Sequence, residues 1–351
     1  MLEVSSSCYF ASDMGIFEIT GVSAGKAAAE DKTEILAGEK QKAQETVFEG
    51  QKVEVYQNIG TVYSLAGFDK NRIAVACGNG GIAIADGKMN VLSSLKTGYC
   101  VKDIRVSNNL IYTAENNGGL AIYQYEDGAL SEVGRVTDRK ADVWYDSLEV
   151  SEDGSFAVVQ AGYRLYRIVD LSDVSNPVVL ESPADVGTGK TFGRNVCIGK
   201  PAGKYVGISG VNLTLWFYRD QNGSGSVEES LRFIKNEDGI SEMEWSGMAA
   251  YGNDCILTKD GGFCIFDPES GVKKCETAIQ DDYVNGKCAT SGNLLVVSRS
   301  VDGKISVLDI SNPENPSALM KIDTDYYADA PRVIDGSVYI PLRHDGVMKI
   351  I

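Results

Sequence analysis

Apolar runs of strand length alternate along this chain with short turns of Gly, Asn and Asp, from one end to the other. The hairpin form occurs as CYFASDMGIFEI (8–19), RIAVACGNGGIAIA (72–85), LIYTAENNGGLAIYQY (110–125) and FAVVQAGYRLYRIV (156–169). It returns as YVGISGVNLTLWFY (205–218), CILTKDGGFCIF (255–266), LLVVSRSVDGKISVLD (294–309) and VYIPLRHDGVMKII (338–351). Glycine supplies the positive φ that tight turns between strands require, so each unit reads as a β-hairpin. Weaker strands precede the hairpins, such as DIRV (103–106), SLEV (147–150) and PRVI (331–334). Others follow them, such as LSEVGRV (130–136), PVVLES (177–182) and ALMKI (318–322). The unit is therefore four strands, and the hairpins lie mostly 38–50 residues apart.

That spacing matches the blade length of a β-propeller, about 40–50 residues. Repetition around a ring leaves only short, protected sheet edges. Helical periodicity is missing almost everywhere, and a β-sandwich would not repeat one unit so often. The expected fold is a single all-β propeller domain over residues 1–351, with eight blades. Seven is the alternative, should the first hairpin merge with the last. In the eight-blade reading LEV (2–4) is the inner strand of the first blade, and the last blade ends inside its third strand, VMKII. Residues 22–46, rich in Ala, Glu and Lys, break the rhythm and read as a surface insertion or an interaction arm. Strand character resumes in VFEGQKVEVY (47–56).

Two blades carry the same punctuation. LYRIVDLSDVSNPVVLES (165–182) and ISVLDISNPENPSALMKI (305–322) both run strand, Asp, apolar, Ser, Asn-Pro, strand. Asp309 and Ser311 can cap the turn with side-chain oxygens, and Pro313 and Pro316 lack the N–H a ladder needs. The motif reads as the joint between third and outermost strand. It resembles the LVIVD-repeat family of bacterial propellers, whose repeat runs through V-D-[VI]-S-[ND]-P and a second Pro. Val169-Asp170-Leu171-Ser172, with Asn176-Pro177 displaced, and Leu308-Asp309-Ile310-Ser311-Asn312-Pro313 with Pro316 carry the likeness; Asp267-Pro268 is a partial echo. The other five blades depart from it. The resemblance implies a propeller and brings no catalytic residues.

Composition narrows the function classes. A net charge of -16 argues against nucleic acid, which is bound through phosphate neutralisation, and against an anionic membrane surface. It fits cations, basic partners or simple solubility. No run approaches the about 18 apolar residues of a membrane span, and MLEVSSSCYFASDMGIFEIT lacks the basic and long apolar regions of a leader. Eight cysteines, none in a C-x-x-C pair, sit mostly in apolar runs and read as reduced, buried thiols, one or two disulfides remaining open. These features favour the cytoplasm; the family resemblance leaves export open.

The chemistry-bearing residues are few. His344, the single histidine, lies in the turn RHDG, which excludes a multi-histidine metal centre. It reads as a surface residue or a general base near the ring's face. GNGG (78–81) and NNGG (116–119) are turns without the Lys-Ser/Thr of a phosphate loop, and GTGKT (187–191) lacks that loop's spacing. Asp281-Asp282, Asp302, Asp323 and Asp325 match no calcium loop, so no cofactor is expected beyond weak Ca²⁺.

One pattern carries more. The segments entering each inner strand are aromatic and polar: GYCVKD, DVWYDS, TFGRN, MEWSG, DDYVNG and DYYADAPR. In a propeller these connections and the second-to-third turns share one face, around the channel mouth. Tyr99, Asp103, Trp144, Tyr145, Asp146, Phe192, Arg194, Trp245, Tyr283, Asn285, Tyr326, Tyr327 and Asp329 are expected to converge there. Exposed aromatics with Arg and Asp mark recognition sites; the competing reading packs these aromatics between blades. The expected function is a non-catalytic recognition or scaffold propeller for a protein or peptide partner. The alternative is a propeller that binds or hydrolyses a glycan or small molecule through Asp and Tyr, for which paired carboxylates about 5–10 Å apart would be needed.

Overall fold

The computed structural model describes residues 8–12, 15–19, 53–137, 143–162, 165–180, 197–199, 204–210, 213–220, 225–236, 247–259, 261–279, 286–300 and 302–350. The chain divides into two compact units, residues 1–44 and 45–351. In the first, Cys8–Ser12 pairs antiparallel with Gly15–Ile19 in a two-stranded sheet. The second is a ring of seven four-stranded antiparallel blades.

The first blade runs Ser64–Asp69, Arg72–Ala76, Ile82–Asp86 and Val91–Leu95; the second Asp103–Ser107, Leu110–Ala114, Leu120–Glu126 and Ala129–Val136. The third runs Tyr145–Val150, Phe156–Ala161, Leu165–Asp170 and Val178–Leu180; the fourth Cys197–Gly199, Val206–Gly210, Leu213–Arg219 and Leu231–Asn236. The fifth comprises Met248–Tyr251, Asp254–Lys259, Gly262–Asp267 and Val272–Ala278; the sixth Lys287–Ser291, Leu294–Arg299, Lys304–Asp309 and Ser317–Asp323. The seventh is built from both ends of the ring: Arg332–Ile334, Ser337–Pro341 and Val347–Ile350, with Val53–Tyr56 as its outermost strand. Inner strands neighbour one another in order, and that of the seventh blade lies against that of the first, so the circle closes.

The expected eight blades are corrected to seven. The first hairpin forms a sheet of its own, and the strand that closes the ring is Val53–Tyr56, in register from Val53 opposite Ile350 to Tyr56 opposite Val347. The physical reason is edge protection. Val347–Ile350 would otherwise expose an unpaired edge, and VEVY is the nearest apolar strand after the 22–46 segment. LEV and residues 22–46 lie outside the described residues.

Second and third strands are buried on both faces because blades stack on each other. Arg72–Ala76 and Ile82–Asp86 show this as nearly unbroken burial. The apolar layers lie between successive blades. Tyr112, Leu120 and Ile122 of the second blade pack with Leu148, Val159 and Val169 of the third. Phe156, Tyr166 and Ile168 pack with Val206, Leu215 and Phe217 of the fourth. Burial on both faces explains why these strands read as continuous apolar runs.

Adjacent blades are also stapled by backbone. In the first, second and seventh blades the second-to-third turn has one hydrogen-bond pattern: Cys77 N to Gly81 O, Glu115 N to Gly119 O and Leu342 N to Gly346 O, each 2.8 Å. The second residue of each turn bridges to the entry of the next blade: Gly78 to Val101, Asn116 to Tyr145 and Arg343 to Val62. The last glycine of each turn runs against the outer strand. A Cβ at Gly81, Gly119 or Gly346 would lie 2.0–2.1 Å from the carbonyl of Leu95, Val136 or Tyr56.

The paired Asn-Pro motifs occupy the opposite ends of the blades. Asp309 Oδ1 accepts from Ser311 N and Asp170 Oδ1 from Ser172 N, both at 2.8 Å. Ile310 and Leu171 are thereby turned into the core. Both loops reach the outer strand of the preceding blade. The carbonyl of Val174 sits where a Cβ on Gly134 would be, and Thr277 Oγ1 donates to Pro313 O at 2.6 Å. The motif is thus a joint within one blade and a latch onto its neighbour. Among the described residues, no helix is long and apolar enough to cross a membrane.

Candidate functional site at the channel mouth

The inner ends of the blades leave a cavity of about 300 Å³. Each blade contributes to its wall; among the residues are Tyr63, Lys102, Asp146, Met248, Lys287 and Arg343. Several outer-to-inner connections and the turn carrying Arg343 meet there.

Asp103 anchors one side. It opens the inner strand of the second blade and is buried. Its Oδ1 accepts from Ser64 Oγ at 2.6 Å and Arg105 Nη1 at 2.7 Å, with Arg332 Nη2 at 3.5 Å. Its Oδ2 accepts from Ser147 Oγ at 3.0 Å and Leu148 N at 3.1 Å. One carboxylate thus ties the first, second, third and seventh blades together. Burial works against its charge, but Arg105, Arg332 and these hydrogen bonds hold the carboxyl well below the usual carboxylate range. Arg105 is completed by Glu149, 2.8 Å from its Nε.

Asp329 anchors the other side. It accepts from Lys287 Nζ at 2.6 Å and Arg343 Nη2 at 2.6 Å, and from Ala330 N at 3.0 Å. Against the cost of burial, Lys287 and Arg343 hold its carboxyl down at about 2. Arg343 stacks over Tyr63 at 4.0 Å and Tyr327 at 5.3 Å. Asp146 behaves in the opposite way. Burial raises its carboxyl, outweighing the hydrogen bond from Trp144 Nε1 at 2.7 Å and the pull of Lys102, Lys287 and Arg343. Cys288, in the wall, is pushed up to about 12 by burial and is a neutral thiol.

The other sequence candidates separate. Tyr99 is 46% exposed, packs over Gly118 and has the Arg135 guanidinium 5.4 Å from its ring; Arg135 pairs with the buried Glu115 at 2.8 Å. Tyr327 is exposed beside Arg343. Tyr326 is half-buried against the core shared by the sixth and seventh blades. Tyr145 is a correction. It is 1% exposed and belongs to the core between the second and third blades, because its backbone pairs with Asn116 and directs the ring inward. Phe192, Arg194, Trp245, Tyr283 and Asn285 lie outside the described residues. His344 is exposed, with Nδ1 3.0 Å from Thr61 Oγ1, and is not part of the cavity wall.

Residues that the sequence reading passed over are the cavity's cations. Lys102 and Arg332 sit inside the quoted segments GYCVKD and DYYADAPR, and Arg343 precedes the histidine. Their position in the entry segments was the available signal, and attention to aromatics hid it. Among the described residues, no group of three or more His, Cys, Asp or Glu side chains is placed to hold a metal ion.

No family model matches the chain, and no curated protein matches it in sequence. Solved structures match its fold. A streptogramin B lyase structure aligns with TM-score 0.64 at 12% identity, over 86% of this chain and 97% of that one. Virginiamycin B lyase from Staphylococcus aureus aligns with TM-score 0.61 at 13% identity, over 86% and 98%. A catalytically inactive variant of that enzyme with quinupristin aligns with TM-score 0.63 at 14% identity, over 86% and 99%. At such identity the likeness is one of propeller fold.

Proposed function

We propose that this protein is a non-catalytic recognition propeller that binds its ligand at the channel mouth. The ligand inserts a small molecule, or the protruding end of a peptide partner, into the central cavity. One observation carries the reading: two of the three carboxylates in the wall, Asp103 and Asp329, are already engaged by cations and backbone N–H groups. A glycosidase-type pair needs one free carboxylate and one poised acid. Here the charges form a rigid cradle, and Tyr99 and Tyr327 offer exposed aromatic surface of the kind recognition sites use.

The test is ligand-observed NMR with a library of small molecules and short peptides, on wild type and Ala330→Phe. That substitution puts a ring at the cavity wall without removing a charge. Circular dichroism checks folding. Ligands that bind the wild type and not the variant support the reading; a ligand set unaffected by the variant overturns it.

A second reading is favoured by Asp146 alone. Its raised carboxyl beside Lys102 and Lys287 is a candidate proton donor for a lyase reaction, the class named for the matched structures. Incubation with quinupristin, followed by mass spectrometry, decides it: unchanged antibiotic removes this reading.

A further inference from the structure

The chain carries a net charge of -16, yet its cavity has the opposite balance. Among the described residues, the wall holds four cations, Lys102, Lys287, Arg332 and Arg343, against three carboxylates, Asp103, Asp146 and Asp329. The Arg105–Glu149 pair behind it adds one of each and changes nothing. Cations outnumber carboxylates among these residues, in a partly enclosed space where fields are screened less than at the surface, and burial works against the charge of Asp146.

Two arginines account for that excess. Arg343 occupies the turn position held by Gly78 in the first blade and Asn116 in the second. All three are left-handed, with φ of 57, 58 and 48°. Glycine and asparagine tolerate that conformation; an arginine adopts it only at a cost. A residue that breaks the local rule of its own repeat, and whose guanidinium reaches into a cavity, points to a use for that guanidinium. Arg332 opens the inner strand of the same blade. Among the described residues its ion-pair partner is Asp103 at 3.5 Å, through an oxygen already taken by Arg105 and Ser64. Its Nη1 donates to Pro331 O at 3.3 Å, and its buried Nε has no acceptor among the described residues. Burial and the neighbouring Arg105 disfavour its charge.

The geometry points to an anion subsite in this cavity: Arg332 and Arg343, with Lys102 beside them, take a single carboxylate of the ligand. The inference rests on the cavity being the ligand site. A monoanionic carboxylate meets less repulsion from the wall carboxylates Asp103 and Asp329 than a phosphate dianion would. Guanidinium donors also match the planar carboxylate in geometry.

The experiment compares acids with their amides on the full wild-type chain by ligand-observed NMR. The probes are benzoate and butyrate against benzamide and butyramide, and N-acetyl amino acids against their primary amides, with inorganic phosphate as a further competitor. The first pairs report a free small acid, and the second a peptide C-terminus. Expected is binding of at least one acid series, with the matching amides weaker by about 10- to 100-fold, the size of a hydrogen bond to a charged group. Arg332→Gln and Arg343→Asn should weaken acid binding to a similar degree; the latter places at the turn the residue its repeat uses at Asn116. Equal binding of acids and amides, preference for phosphate, or no acid binding at millimolar concentration each overturns the subsite. Neutral probes that bind wild type and are lost in Ala330→Phe would leave the recognition reading standing while the carboxylate subsite fell. If no probe of either kind binds, both fall.

Discussion

Asp329→Asn tests whether the cavity's charges are held by the fold. Asp329 is 4% exposed in its side chain and pairs with Lys287 and Arg343. Its carboxyl is lowered from 3.8 to about 2. A lowered folded-state value means that the unfolded chain binds the proton more tightly. The stability it contributes is therefore present above the unfolded value and is lost as pH falls toward the folded one. That lowering is worth about 2 kcal/mol at neutral pH. Linkage leaves about half of this near pH 3. Asn cannot ionise, so the variant should be less stable by about 2 kcal/mol near pH 7, and the gap should narrow to about 1 kcal/mol near pH 3. The assay is urea unfolding followed by intrinsic fluorescence, at matched ionic strength, across that range. A gap that stays constant down to about pH 3, or an Asn variant as stable as wild type near neutrality, would refute the claim that Asp329 is a buried, ion-paired carboxylate.

Three further outcomes are expected. Gly119→Ala should destabilise by well over about 1 kcal/mol, because its Cβ would lie 2.1 Å from Val136 O; Gly128→Ala, with the same φ of 81° and open space around it, should cost only about 1 kcal/mol. Equal urea midpoints for the two would sink the inter-strand clash argument. Removing residues 1–56 should lower Tm by unpairing Val347–Ile350, and a synthetic peptide VFEGQKVEVY should raise it again; no response to the peptide would count against closure by Val53–Tyr56. Arg135→Met should cost about 3–5 kcal/mol, since Glu115 is fully buried and would keep only Thr113 and Tyr123 as partners. Pairing it with Glu115→Gln should recover part of that loss, and a purely additive double variant would show that the two side chains are not coupled.

Much of the fold was legible in the chain. Hairpin spacing and unbroken apolar runs report blades buried on both faces, a property that each repeat carries locally. The role of DISNPENP as a joint was legible for the same reason: its Asx turn spans only two residues. Its second role, latching onto Thr277 of the preceding blade, was not, because it joins positions 36 residues apart. The blade count misled because Cys8–Ile19 satisfies every local rule of a hairpin. Only pairing between Val53–Tyr56 and Val347–Ile350, nearly the whole chain apart, decides which segment closes the ring.

The site divides along the same line. Asp103, Asp146 and Asp329 were visible as polar residues entering inner strands, since that position recurs with the repeat. Tyr145 shares it, yet its backbone bridge to Asn116 buries the ring. The charge of the cavity was hidden altogether. Net charge sums over the whole surface, whereas the field in a small cavity depends on which few side chains the ring brings within a few ångströms. By itself the sequence determined strands, turns and their repetition, because these follow from interactions between near neighbours in the chain. The tertiary structure alone decided the number of blades, the closing strand and which charged side chains share the cavity, because each depends on residues that meet only when the circle closes.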